Sequence, residues 1–169
     1  MSTDTIEPET IERTFDNSIG RAVRRERAQR FLSQASALFA AELSTACITD
    51  PEETAPWFRA EIGFNNDESF AAIFMDQGRR ALKRMVFAVG SRTRTVLYPR
   101  QLFKEALDCD ATVIILAHNH PGGSLMPSSQ DRALTRKVQE IGESLEISLV
   151  DHLIVTKEGH ASFRRHGWM

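Results

Sequence analysis

The chain is 169 residues long, 41% hydrophobic and 26% charged, with a formal net charge of −2. That is enough chain for one domain with its own core, and the charge balance gives no global electrostatic case for nucleic acid or an anionic membrane. Two cysteines, Cys47 and Cys109, stand far apart in no metal spacing, so a disulfide framework is not expected and a reducing cytoplasm fits best.

The first stretch, MSTDTIEPETIERTFD, is acidic and polar and has no apolar core of a signal peptide. Residues 1–20 are expected to be poorly ordered. Arg21 to Arg30 is basic and leads into Phe31, Leu32, Ala35, Leu38, Phe39 and Leu43, a helical, amphipathic spacing. The basic run reads more readily as a solvated helix face than as a contact with nucleic acid or an acidic partner. Asp50-Pro51-Glu52-Glu53 marks a helix start, with a capping Asp, Pro at the first helical position and acids in the first turn. That helix carries Trp57 and Phe58 and ends near Gly63, so 21–63 reads as an N-terminal helical region.

Phe64 to Asp67 reads as a linker into the second region, 64–169. Ser69 to Met75 is predicted as a buried strand, Asp76-Gln77-Gly78 as a turn, and Leu82 to Val89 as the returning strand. Tyr98-Pro99 opens a helix with Leu102, Phe103, Ala106 and Leu107 on one face. Ala111 to Ala117 is continuously apolar, the signature of a central strand covered on both faces. Pro121-Gly122-Gly123 breaks it. Ser129 to Leu145 is predicted helical with Leu134, Val138, Ile141 and Leu145 inward. Ile147 to Val155 is a further strand, and Ala161 to Arg164 pairs with it across Glu158-Gly159. The order implies an α/β fold, a mixed sheet flanked by helices, with an N-terminal helical extension.

The candidate site lies where the central strand ends. His118 and His120 are one residue apart, so on an extended chain they point the same way. Asp131, on the following helix, can complete a three-ligand set. Two His and a carboxylate with an open fourth position describe a catalytic rather than a structural zinc site. Gly122 and Gly123 let the backbone fold tightly there. Ser128 and Asp131 also make a variant capping box, which would be structural.

The runs His118-Asn119-His120-Pro121-Gly122-Gly123 and Pro127-Ser128-Ser129-Gln130-Asp131 resemble the JAMM metal motif of JAB/MPN domains, and most closely its RadC branch. Pro99 to Ala106 and Leu149 to Val155 extend the likeness. The helix-hairpin-helix segment common in longer RadC proteins is not apparent. The resemblance implies a cytidine deaminase-like architecture and a zinc held by His118, His120 and Asp131, with a water in the fourth position. It further implies an upstream Glu as general base, and a Ser, here Ser128, bonding to the water or the developing oxyanion. Glu68, in the frame Glu68-Ser69-Phe70 to Asp76, is the choice for the base. Glu105, beside Lys104 on a helix, is the competitor and reads as a surface residue. Asp151 and His152 also match, and must point to opposite faces. Each could support a metal-bound His from behind, or the two could simply brace the sheet.

The expected function is hydrolysis of a peptide or isopeptide amide by a zinc metallopeptidase. The alternatives are a DNA-repair-associated protein, favoured by the basic run alone, and a non-catalytic partner-binding module. The letters HNH do not indicate an HNH endonuclease, whose residues are spread over a longer unit. A zinc deaminase would need a Cys-x-x-Cys pair that Cys47 and Cys109 cannot form. Substrate, DNA binding and oligomeric state are left open by the sequence.

Overall fold

The uninterrupted apolar run before His118 forms the middle of a sheet. A computed structural model describes residues 8–45, 47–87 and 97–169, with helices α1 (Pro8–Thr45), α2 (Ala55–Ile62), α3 (Pro99–Asp108) and α4 (Ser129–Ser144). The strands are β1 (Phe70–Met75), β2 (Ala81–Phe87), β3 (Val113–Asn119), β4 (Ser148–Val155) and β5 (His160–Ser162). Among the described residues they form a mixed sheet in the order β2-β1-β3-β4-β5. β3 runs antiparallel to β1 and parallel to β4, while β2 and β5 pair antiparallel at the edges. The α/β fold and the central place of β3 match the sequence reading. Ala88 and Val89, the expected end of β2, lie outside the described residues.

Alternation along the strands sorts the core into two layers. Phe70, Ala72 and Phe74 of β1 and Ile114 and Leu116 of β3 face Leu102, Phe103 and Ala106 of α3 and Val138 of α4. Ala71, Ile73 and Met75, with Ile115 and Ala117, face Trp57, Phe58 and Ile62 of α2 and Leu43 of α1. Both faces of β3 are therefore dry, which is why its sequence does not alternate between apolar and polar. Each buried Leu, Ile or Phe here contributes about 1.5–3 kcal/mol through area removed from water.

Asp50 caps a short 3-10 turn at Pro51–Thr54 by accepting from the Glu52 N–H, and the chain passes directly into α2. Helix α2 shares a core with the sheet. Helix α1 starts within the stretch expected to be poorly ordered. After Pro8 at its first position the run carries no proline and only Gly20 as a breaker up to Thr45, so nothing stops the helix. Its packed side also differs from expectation. Leu43 and Ser36 are buried, whereas Phe31 and Leu38, two turns apart on another side, are 70% and 73% exposed. Ser36 bonds Glu61 across the α1–α2 contact.

Helix α4 packs Leu134, Val138 and Ile141 of its predicted stripe against the core and buries Thr135 and Gly142 beside them. Thr135, Val138 and Gly142 are buried, while Leu145 is exposed. Thr135 is taken inside by its polar partners, described below. Gly142 lies inside because the chain reverses tightly into β4: the Ile147 N–H donates to the Gly142 carbonyl at 2.8 Å. A Cβ at 142 would sit 2.3 Å from the Ile147 carbonyl oxygen. Gly142→Ala is therefore expected to lower stability by about 2 kcal/mol despite its better helix propensity. Gly122→Ala, whose Cβ meets nothing within 4 Å, should stay within about 0.5 kcal/mol of wild type. Urea unfolding midpoints check both, and equal midpoints for the two variants would refute the close approach.

Candidate metal centre

The site forms where β3 leaves the sheet and α4 begins. His118 is buried on the α4 side of β3, packed against Phe70 with ring centroids 5.3 Å apart. His120 follows as the strand ends, its backbone N–H still donating to the Val155 carbonyl at 3.1 Å. The Pro121–Gly123 turn then closes, with Gly123 at φ 82° and its N–H on the His120 carbonyl. Gly123, rather than Gly122, is the residue that needs the left-handed freedom of glycine.

Asp131 reaches the same point from the third position of α4. Ser128 is the helix cap: its Oγ accepts the Asp131 N–H at 3.1 Å and donates to Asp131 Oδ2 at 2.7 Å. The Ser128 N–H donates to the same Oδ2 at 2.7 Å. The capping box thus orients Asp131, and the Ser128 proton is engaged there.

His118 Nε2 lies 3.5 Å from Asp131 Oδ1, His120 Nε2 lies 3.5 Å from Oδ2, and the two Nε2 atoms are 3.0 Å apart. One donor atom from each of the three residues falls within 4.8 Å of the others. His120 Nδ1 faces the Ser124 carbonyl at 2.7 Å, and a carbonyl can only accept, so Nδ1 carries the proton and Nε2 offers a lone pair. Electron-rich atoms this close call for a cation between them, and the group could hold a metal ion. Burial pushes the Asp131 carboxyl up, but hydrogen bonds with His118 and His120 outweigh it and hold the group well below the usual carboxylate range. The bond to Asp131 raises His120 against the opposing effect of burial, with the Ser124 carbonyl and the Glu68 charge adding to the rise.

Glu68 stands two residues before β1 and is exposed. The antiparallel register ends with Phe70 opposite His118, and the Asn119 N–H donates to the Ser69 carbonyl at 3.2 Å, so Glu68 leaves the strand close enough for its charge to act on His120. Glu105 is elsewhere, bound to Lys83 at 2.6 Å.

Sequence reasoning passed over Asn119. Its side chain points to the face opposite the two His, where Oδ1 accepts the Ser69 N–H at 2.6 Å and Nδ2 donates to the Asn65 and Asp67 carbonyls at 3.3 Å. It therefore clamps the loop that carries Glu68. The readable signal was an amide flanked by two presumed ligands, since a polar side chain on the opposite, buried face of a strand needs partners of its own.

Asp151 and His152 divide their roles. Asp151 faces the α2 side and accepts from the His152 N–H at 2.7 Å, the Ser162 hydroxyl at 2.6 Å and the Arg164 N–H at 3.1 Å. It braces β4 against the C-terminal turn, and burial pushes its carboxyl up. His152 lies behind His118, with Nε2 2.8 Å from His118 Nδ1, and its other nitrogen 2.7 Å from Thr135 Oγ1. It is fully buried, and burial holds its basicity well below that of a free imidazole. Thr135 is the second residue that sequence reasoning missed, hidden within an apolar stripe.

No helix among the described residues is long and apolar enough to cross a membrane, and Cys47 and Cys109 are free thiols. The sequence profile of the RadC-like JAB domain matches residues 48–168. A UPF0758 protein of Haemophilus influenzae strain PittEE is 38% identical over 138 residues, covering 82% of this chain and 60% of the relative. A UPF0758 protein of Histophilus somni strain 2336 is 35% identical over 121 residues, 72% of this chain and 54% of the relative. One from Actinobacillus pleuropneumoniae serotype 7 is 39% identical over 116 residues, 69% and 53% respectively. The chain therefore spans little more than half the length of these relatives. The mixed sheet, the convergent His-His-Asp group at the end of β3 and the match over most of the sequence together place this chain in the RadC-like JAB domain family.

Proposed function

We propose that this chain is a metal-dependent amide hydrolase of JAMM type, acting on a peptide or isopeptide bond, with zinc as its metal. One observation carries the reading: two imidazole Nε2 atoms and a carboxylate converge within 4.8 Å at the end of the central strand, and a second carboxylate, Glu68, acts on His120 through its charge from the segment before β1. The donor set of nitrogen and oxygen suits zinc. Bound there, zinc would supply Lewis-acid activation of water near neutral pH.

The rest of the chemistry belongs to the chain. Glu68 takes the proton from the attacking water and returns it to the leaving amine as the C–N bond breaks. His118 and His120 hold their lone pairs toward the centre, and Asp131 supplies the single negative charge of the ligand set. Ser128 keeps the Asp131 carboxylate turned inward through the capping box, and contact with a developing oxyanion would require its proton to leave Asp131. Asn119 holds the Asn65–Ser69 loop and so the base. A peptide or protein substrate and a cytoplasmic setting belong to the same proposal. A nucleic-acid partner would rest on the exposed Arg24, Arg25, Arg27 and Arg30 of α1 alone.

Purified protein is expected to hold about one zinc per chain, measured by mass spectrometry, and to lose it in the His118→Ala/His120→Ala variant. Failure of wild type to take up any metal, even with zinc supplied, would sink the hydrolase reading. Glu68→Gln should keep the metal and lower peptide or isopeptide cleavage by about 10²–10⁴-fold. Full cleavage by that variant would remove Glu68 as the base.

Asn119→Ala should leave zinc content unchanged, because its side chain is on the other face. It should lower stability by about 2 kcal/mol through the lost buried hydrogen bonds and reduce cleavage in the fraction that remains folded. Loss of zinc together with unchanged cleavage chemistry per bound metal would contradict the assignment of Asn119 to the Glu68 loop.

A further inference from the structure

We propose that His152 and Thr135 form a buried relay that fixes the proton of His118 on Nδ1, making His152 a positioning residue that presents His118 Nε2 to the metal. The inference rests on the metal reading above and assigns the third histidine, which that reading leaves unused.

Counting protons fixes the arrangement. Thr135 Oγ1 donates to the Asp131 carbonyl at 2.7 Å, the usual bond of a helical Thr to the residue four positions back. A hydroxyl has one proton, so toward His152, also at 2.7 Å, Oγ1 can only accept. His152 therefore carries its proton on Nδ1. A neutral imidazole then has a bare Nε2, and the ring is fully buried among apolar neighbours, with Phe163 stacked on it at 4.6 Å. The 2.8 Å contact to His118 must be a bond from His118 Nδ1–H to His152 Nε2. With its proton there, His118 keeps Nε2 free, the atom that faces His120 and Asp131.

The opposite arrangement would disable the site. If His152 carried its proton on Nε2, it would donate to His118 Nδ1, and the His118 proton would move to Nε2, between the three donors. Thr135 decides which arrangement holds, and it does so from the first turns of α4, the same helix that delivers Asp131. Two of the three candidate ligands are thus tied to one another through Thr135 and His152, independently of any metal. The acceptor behind His118 is also neutral. A carboxylate in that place would raise the basicity of the ligand; His152 holds the ring without adding charge, so Asp131 alone offsets the charge of a bound cation.

The 169-residue chain labelled with ¹⁵N-histidine and freed of metal by a chelator, at a pH where the rings are neutral, gives the decisive measurement. Long-range ¹H–¹⁵N correlations should show Nδ1–H with bare Nε2 for both His118 and His152. A proton on Nε2 of His152 would overturn the relay. Zinc affinity by chelator competition gives the second readout. Thr135→Val and His152→Phe should bind zinc about 10–100-fold more weakly. Thr135→Ser and His152→Gln, which keep an acceptor in the needed place, should stay within about threefold of wild type. Unchanged zinc affinity in a folded Thr135→Val chain would also overturn it. A wild-type chain that takes up no zinc defeats the hydrolase reading, and the tautomers of the metal-free chain still decide the relay.

Discussion

Three Lewis-basic groups held in contact are costly unless something positive lies between them, and the architecture at the end of β3 is organised around that cost. His118 and His120 bring their Nε2 atoms to 3.0 Å, and Asp131 stands 3.5 Å from each. Left to itself, the chain would relieve this crowding by rotating the side chains. It is prevented by packing and by hydrogen bonds made at the far side of each ring. Phe70 stacks on His118, the Ser124 carbonyl holds His120, and the Ser128 cap holds Asp131. Donors arranged in advance of their ligand in this way spare the binding step the ordering cost it would otherwise carry.

The cap of α4 serves two purposes with one set of bonds. A helix start needs its first N–H groups satisfied, and Ser128 with Asp131 does that reciprocally. The same bonds fix the Asp131 carboxylate toward the two His. This explains why the motif can be read as helix punctuation or as chemistry: both descriptions apply to the same atoms. The helix therefore cannot shift along the sheet without moving a candidate ligand.

The alternation of a strand does comparable work in β3 and β4. Between two His that face the site, Asn119 faces the opposite layer and secures the loop before β1. Beside His152, which faces the site, Asp151 faces the opposite layer and secures the C-terminal turn. A register irregularity between Ile114 and Ile115 lets β4 carry Val150 as an extra residue while keeping His152 opposite Leu116 and on the side of His118. One polar residue of each pair builds the site, and its neighbour anchors the frame that carries it.

The sequence by itself determined the α/β class, the central place of β3, and the His118, His120 and Asp131 grouping. Those features are local: a continuous apolar run, a two-residue spacing on a strand, and a cap-to-acid spacing at a helix start each follow from backbone periodicity. Tertiary structure decided what depends on segments distant in the chain. Thr135 and Gly142 joined Leu134, Val138 and Ile141 on the inner side of α4, because one meets His152 and the other the Ile147 carbonyl. Phe31 and Leu38 stand outside the packed side of α1, since helical periodicity marks an apolar stripe but not the direction in which a neighbour lies. Asp151 and His152 were equivalent as letters and separated once the sheet gave each face a different environment. Glu68 was framed by its strand, yet its approach to His120 depends on the pairing of β1 with β3, of residues some fifty positions apart, which local spacing does not encode.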